Sequence, residues 1–157
     1  MAALAVVVAG LVTWAVWPSP PPQPLARQYR DVTACLLTDE RGITGEQAAP
    51  VWAGMQDASL KTLARVQYLK VSGEQTADNA RTYLASLVQS RCTLVLAVGA
   101  APVAAVGAGA ERFPDARFVT VGGGTAAPNV SVVGESAPEA VRAAASRAVT
   151  EAVGPAR

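Results

Sequence analysis

Asp39 follows the apolar run Leu36-Leu37-Thr38 and precedes a turn through Arg41-Gly42. A carboxylate there can accept hydrogen bonds from ligand hydroxyls or amines, beside a threonine hydroxyl that both donates and accepts. Two more strand-like runs end on glycine, "TLVLAVG" at Gly99 and "RFVTVGG" at Gly122. A strand exit without a side chain lets a ligand approach the backbone. Thr38, Asp39, Gly42, Gly99 and Gly122 are therefore the candidate ligand-binding residues. Each also has a plain local use. The glycines make tight exits, and Asp39 can cap its own turn. The remaining chemical pair is Cys35 and Cys92.

The rest of the composition removes chemistry. Histidine is absent, and with it go histidine general bases, Ser-His pairs and histidine metal sites. Two cysteines alone do not make a zinc site. No serine or threonine has an identifiable activating base, so the chain reads as non-enzymatic, with no metal or cofactor expected. The net charge of +1 leaves no electrostatic footprint for nucleic acid. "GGGTAAPN", Gly122 to Asn129, is glycine-rich but lacks a lysine and Walker spacing. "GAGAER", Gly107 to Arg112, falls inside a helical pattern and so is not a dinucleotide fingerprint.

The candidate residues need a frame that brings strand ends together. The chain has 157 residues, 51% of them hydrophobic and 16% charged, enough apolar content for one real core. From Val32 strands and helices alternate. "TACLLTD" reads as a strand and Glu46 to Ala64 as a helix, with Trp52, Met55 and Leu63 towards one face. "VQYLKV" is a second strand. Thr76 to Arg91 is a helix with Ala80, Tyr83, Leu84, Leu87 and Val88 on one stripe and Thr76 as cap. "TLVLAVG" is apolar on both faces, as a central parallel strand must be. A small-residue helix opens at Pro102, and "RFVTVGG" and "NVSVVG" are the fourth and fifth strands. "SAPE", Ser136 to Glu139, has capping-box spacing before a last helix faced by Val141, Ala144, Ala145, Ala148 and Val149. The pattern predicts an α/β fold, a five-stranded parallel sheet with helices on both faces, in the order 2-1-3-4-5. In that order the first and third strands are neighbours, which sets Cys35 and Cys92 at one end of the sheet. A disulfide is then geometrically allowed and an exported domain would favour it; two buried thiols remain the alternative.

Residues 1–17, "MAALAVVVAGLVTWAVW", carry no charged side chain. As a helix they would reach about 25 Å, against a hydrocarbon core of about 30 Å. They are expected to be a transmembrane anchor or signal segment, an N-terminal apolar helix in the membrane. Trp14 and Trp17 suit an interface. No basic residue precedes the segment and Arg27 and Arg30 follow it, so the positive-inside rule leaves its orientation open. Residues 18–31 hold "PSPPPQP", an extended spacer. Residues 32–157 form the folded domain. "VTAC" at Cys35 is separated from the apolar segment by this spacer, so lipidation there is not expected.

The run from Asp78 to Gly123 resembles the basic membrane protein family of substrate-binding lipoproteins, which serve ABC-type nucleoside transporters. The matching features are Asn79, Leu84 and Leu87, "LVLAVG", "FPDARF" and "VTVGG"; "NVSVV" and Glu139 follow in order. At the front, Thr38-Asp39 and Gly42-Ile43 match parts of the family's ligand loop. The resemblance covers residues 33 to 150. It implies one lobe of a type I periplasmic-binding-protein fold, a flavodoxin-like three-layer sandwich. Two departures stand out. The family has two lobes, and this chain stops where the crossover to the second would begin. Gly45 and Ala48 stand where the family has an acid and an aromatic. Each missing contact is worth about 1–3 kcal/mol. The expected function is thus a membrane-anchored, extracytoplasmic domain acting on a protein partner or as a sensor module. The alternative is an ABC-importer subunit that binds a nucleoside-like ligand and completes its cleft by homodimerising.

Overall fold

A computed structural model describes residues 29–154. The expected apolar helix at 1–17, and the spacer up to residue 28, lie outside the described residues. Five strands, β1 (Thr33–Thr38), β2 (Arg65–Lys70), β3 (Leu94–Val98), β4 (Arg117–Val121) and β5 (Val130–Val133), form one sheet. Its order is β2-β1-β3-β4-β5 and every pairing is parallel. Helices α1 (Ala48–Thr62), α2 (Ala77–Gln89), α3 (Ala100–Gly109) and α4 (Pro138–Val153) cover both faces.

Alternation along each strand sorts the core into two layers. Cys35, Leu37, Val95, Ala97 and Phe118 pack with α2 and α3. Leu36, Leu94, Leu96, Val119 and Val121 pack with α1 and α4. β3 is buried at all five positions and β2, at an edge, at none. The expected stripe of α2 is buried at Ala80, Leu84 and Leu87, and the Thr76 hydroxyl accepts the Asn79 amide at 3.2 Å.

Three local expectations fail for identifiable reasons. α1 ends at Thr62, and Leu63 is a left-handed cap (φ 61°), 38% exposed, instead of part of the apolar face. α3 starts two residues before Pro102, which sits in the first turn, where its missing N–H costs nothing. The capping box does not form. Ala137 takes the cap position of α4, with no side-chain cap bond, and Pro138 opens the helix. Ser136 lies one residue too early.

Two polar contacts hold the layers in place. Asn129, just before β5, donates its side-chain amide towards the carbonyls of Ala110, Phe113 and Ala116 at 3.0, 3.1 and 3.2 Å. It ties the α3–β4 connection to the sheet. Asn129→Ala leaves these part-buried carbonyls without that donor and should cost about 2–3 kcal/mol in urea unfolding; a loss under about 0.5 kcal/mol would mean water replaces the amide. Between α1 and α4, Arg142 donates to both carboxylate oxygens of Asp57 at 2.7 and 3.0 Å. This hydrogen bond, aided by the charges of Arg142 and Lys61, holds the Asp57 carboxyl below its ordinary value of 3.8. A carboxyl with a lower folded than unfolded pKa stabilises above its unfolded pKa, and that stability is lost as pH falls through the folded pKa. The stability gap between wild type and Asp57→Asn should therefore be present at pH 7 and close below about pH 3.8. A gap unchanged from pH 7 to pH 2 would show that the pair does not titrate with unfolding.

Candidate functional site

Parallel strands place their carboxyl ends on one edge, and α/β sheets bind ligands there. Here the edge is built from the exits of β1, β3 and β4. β1 ends at Thr38, which is fully buried. Its hydroxyl donates to the Asp39 carbonyl at 3.1 Å, so it serves its own backbone.

Asp39 follows at the surface, with 26% of its side chain exposed. One carboxylate oxygen accepts the Arg41 amide at 3.0 Å, and the other meets the Arg41 guanidinium at 3.5 Å. Asp39 thus closes the turn that leads into a short 3-10 segment at Gly42–Thr44. Gly42 turns with φ 62° and faces the stem of Lys70, since a Cβ there would stand 3.8 Å from the Lys70 Cδ.

Gly99 leaves β3 with φ 99° and leads into α3. A Cβ on Gly99 would stand 3.3 Å from the Cβ of Asp39. The strand order therefore brings Asp39 and Gly99 together, with the carboxylate beside the first turn of α3, whose amide ends favour a negative charge. Gly122, leaving β4 with φ 78°, has a different neighbour, the side-chain amide of Gln47, 3.9 Å from its Cβ position. Gln47, the residue before α1, was not among the sequence candidates. Its place at the edge follows from the residue before α1 reaching the exit of β4, and only its position just before the helix hinted at it.

A second overlooked residue is Thr120 on β4. It is 1% exposed, and its hydroxyl has no hydrogen-bond partner among the described residues. Gly124 (φ 100°) passes over it; a Cβ there would approach the Thr120 hydroxyl to 2.8 Å and the Val103 side chain to 3.3 Å. The edge therefore offers a carboxylate, an amide and bare glycine backbone, with no stacking aromatic among its named residues. Ala48, where the resemblance would put an aromatic, is buried in the α1 layer.

Cys35 and Cys92 lie nearer the opposite end of the sheet, joined by a disulfide with Cα atoms 5.8 Å apart. The Gln67 amide lies 3.2 and 3.3 Å from the two sulfurs. A hollow of about 420 Å3, lined by Arg117, Ser131, Glu135 and Arg147 among others, sits beside β5 under α4, and none of Thr38, Asp39, Gly42, Gly99 and Gly122 lines it. Among the described residues no helix is long and apolar enough to cross a membrane.

The fold is similar to that of several solved structures. A fragment assigned as a lipoprotein from Peptoclostridium difficile 630 has a TM-score of 0.56 at 14% identity, over 65% of this chain and 84% of that one. A solute-binding protein of an ABC transporter system from Aeropyrum pernix K1 has 0.53 at 17%, over 64% and 28%. A transcriptional activator of the comK gene from Bacillus halodurans has 0.53 at 16%, over 64% and 33%. This chain thus spans a third or less of the latter two proteins. At these identities the likeness is one of fold alone. No protein-family model matches the chain, and no curated protein matches it significantly.

Proposed function

We propose that the chain is a non-enzymatic, membrane-anchored extracytoplasmic domain, built like one lobe of a basic-membrane-protein-type solute-binding protein, that meets a protein partner through its carboxyl edge. The observation that carries this reading is the state of Asp39 and Thr38. Both spend their hydrogen bonds on their own turn, the carboxylate on Arg41 and the hydroxyl on the Asp39 carbonyl. The residues that would grip a small ligand instead build a fixed edge. That edge is also net acidic, since Asp39, Glu40, Glu46, Glu74, Glu135 and Glu139 sit in or beside connections at the carboxyl ends of the strands, against Arg41 and Lys70. A partner with a basic surface suits it.

The alternative, a nucleoside-binding importer subunit, needs a second lobe or a second copy to close over the edge. The test is a titration of the purified full chain with nucleosides, followed by thermal shift, with its mass in solution measured alongside. The expected result is a monomer with no shift up to about 1 mM ligand, where the binding free energy is only about −4 kcal/mol. A dimer stabilised by a nucleoside at micromolar concentration would establish the alternative. The anchor is tested by fractionation. The full chain should pellet with membranes, and a chain starting at Gln23 should not.

A further inference from the structure

The opposite end of the domain carries a surface with a different chemistry. Three of the exposed large hydrophobic residues gather at one corner of the amino edge. Leu60 is 65% exposed in the last turn of α1, Leu63 is 38% exposed just past it, and Tyr29 is 45% exposed where the chain leads into β1. The Arg30 amide donates to the Leu63 carbonyl at 2.9 Å, so the incoming chain and the end of α1 form one surface. Arg30 follows Tyr29, Lys61 follows Leu60, Arg65 is two residues past Leu63, and Arg91 follows Ser90, which lines the same hollow as Tyr29; all four are exposed. None of the four is in an ion pair among the described residues. The nearby acids are Asp31, beside Arg30, and Asp57, Glu139 and Glu151, which line one hollow with Lys61; Asp57 already holds Arg142. Between Tyr29, Ser59, Arg65, Gln67 and Ser90 lies an open hollow of about 330 Å3, polar enough and large enough for a phosphate-bearing headgroup.

Exposed leucines and a tyrosine with unpaired cations close by in the chain are the chemistry of a surface that rests on an anionic bilayer. The apolar side chains enter the interface and the cations meet lipid phosphates. The direction of the chain agrees. Tyr29 is five residues past Pro24, the last proline of the spacer, and the apolar 1–17 segment lies upstream of that. We propose that this corner, Tyr29, Leu60 and Leu63 with Arg30, Lys61, Arg65 and Arg91, is a membrane-resting surface for anionic phospholipid. It holds the domain against the bilayer and turns the carboxyl edge away from it. The inference rests on the reading that the domain lives beside a membrane, but it uses none of the residues of the proposed anchor.

The full chain is mixed with phosphatidylcholine vesicles, or with vesicles holding about a third phosphatidylglycerol, at low and at 0.5 M salt. Flotation reports attachment, and amide hydrogen exchange reports the corner. Residues 29–31 and 60–66 should exchange on the order of tenfold more slowly on the anionic vesicles, and the protection should fade at high salt. Neutralising Arg30, Lys61, Arg65 and Arg91 to Gln should remove it, at about fivefold in affinity per cation, while β3 amides exchange as before and show the fold intact. Flotation on both lipids with equal exchange at the corner would overturn the surface and leave the anchor standing. Flotation on anionic vesicles alone, lost in salt and in the Gln variant, would support the surface and overturn the anchor. No flotation on either lipid would overturn both.

Discussion

Removing the Cys35–Cys92 bridge is expected to cost the domain about 4 kcal/mol, from the entropy of a chain closed over a loop this long. The two cysteines are 57 residues apart and clamp β1 to the start of β3. Those strands are the middle of the sheet, so the cross-link constrains the unfolded chain across β2, α1 and α2 together. Cys35 is fully buried and Cys92 is 3% exposed. The bridge is therefore shielded, and reduction should need prior opening of the domain. A domain of this size has about 5–15 kcal/mol of total stability. The loss is a large share of that, so the Cys35→Ala/Cys92→Ala variant should be marginal at 37 °C. The measurement is a pair of urea unfolding curves, one for the oxidised protein and one for the double variant. A difference under about 1 kcal/mol would mean the unfolded chain keeps these strands close without the bond. The dependence also bears on place. A domain that leans on a disulfide this heavily suits an oxidising compartment, in keeping with the proposed extracytoplasmic side.

The bridge illustrates what the sequence makes legible. Once the strand order is inferred from the strand–helix rhythm, Cys35 and Cys92 fall at the same end of neighbouring strands, and one disulfide becomes geometrically allowed. Sequence could not choose between that and two buried thiols, because the choice depends on how Cα atoms are spaced across the sheet. β3 was readable for a related reason. A run apolar on both faces has one place in such a sheet, and "LVLAV" occupies it with every residue buried. The candidate edge was half readable. Asp39 and Gly99 announce themselves as strand exits, and their contact follows from β1 and β3 being neighbours. Gln47 and Thr120 carry no such signal. One depends on which strand exit the residue before α1 reaches, the other on how a glycine loop folds down over β4, and neither is written in a local pattern. The capping box at Ser136 shows the reverse error. The spacing is right, but the proline two residues later starts the helix from Ala137 and leaves the serine outside.

The same limit governs the two glycines whose replacement should have opposite signs. Gly54 lies mid-helix in α1, where glycine normally costs about 1 kcal/mol against alanine. On propensity alone Gly54→Ala should stabilise. Packing reverses this. A Cβ at Gly54 would run into the backbone carbonyl of Arg142 on α4, and would stand 3.1 Å from the Ala145 Cβ. A backbone carbonyl inside a helix has no rotamer to change, so α1 and α4 must move apart. That would strip cover from Val51, Met55 and Ala58 on one helix and Val141 and Ala145 on the other, all buried in the same layer. It would also strain the Asp57–Arg142 pair beside it. Overpacking of this kind costs about 1–3 kcal/mol, and more where backbone must move or the residue is larger, against a propensity gain of about 1 kcal/mol. Gly54→Ala should therefore lower the urea midpoint, and Gly54→Leu should leave the domain largely unfolded. Gly107 in α3 is the control. It has helical φ and nothing within 4 Å of its Cβ position, so Gly107→Ala should raise stability by up to about 1 kcal/mol. The comparison isolates the helix contact, because both substitutions add one methyl group to a helix interior. If both variants gain stability, α1 and α4 do not make a close backbone approach at Gly54.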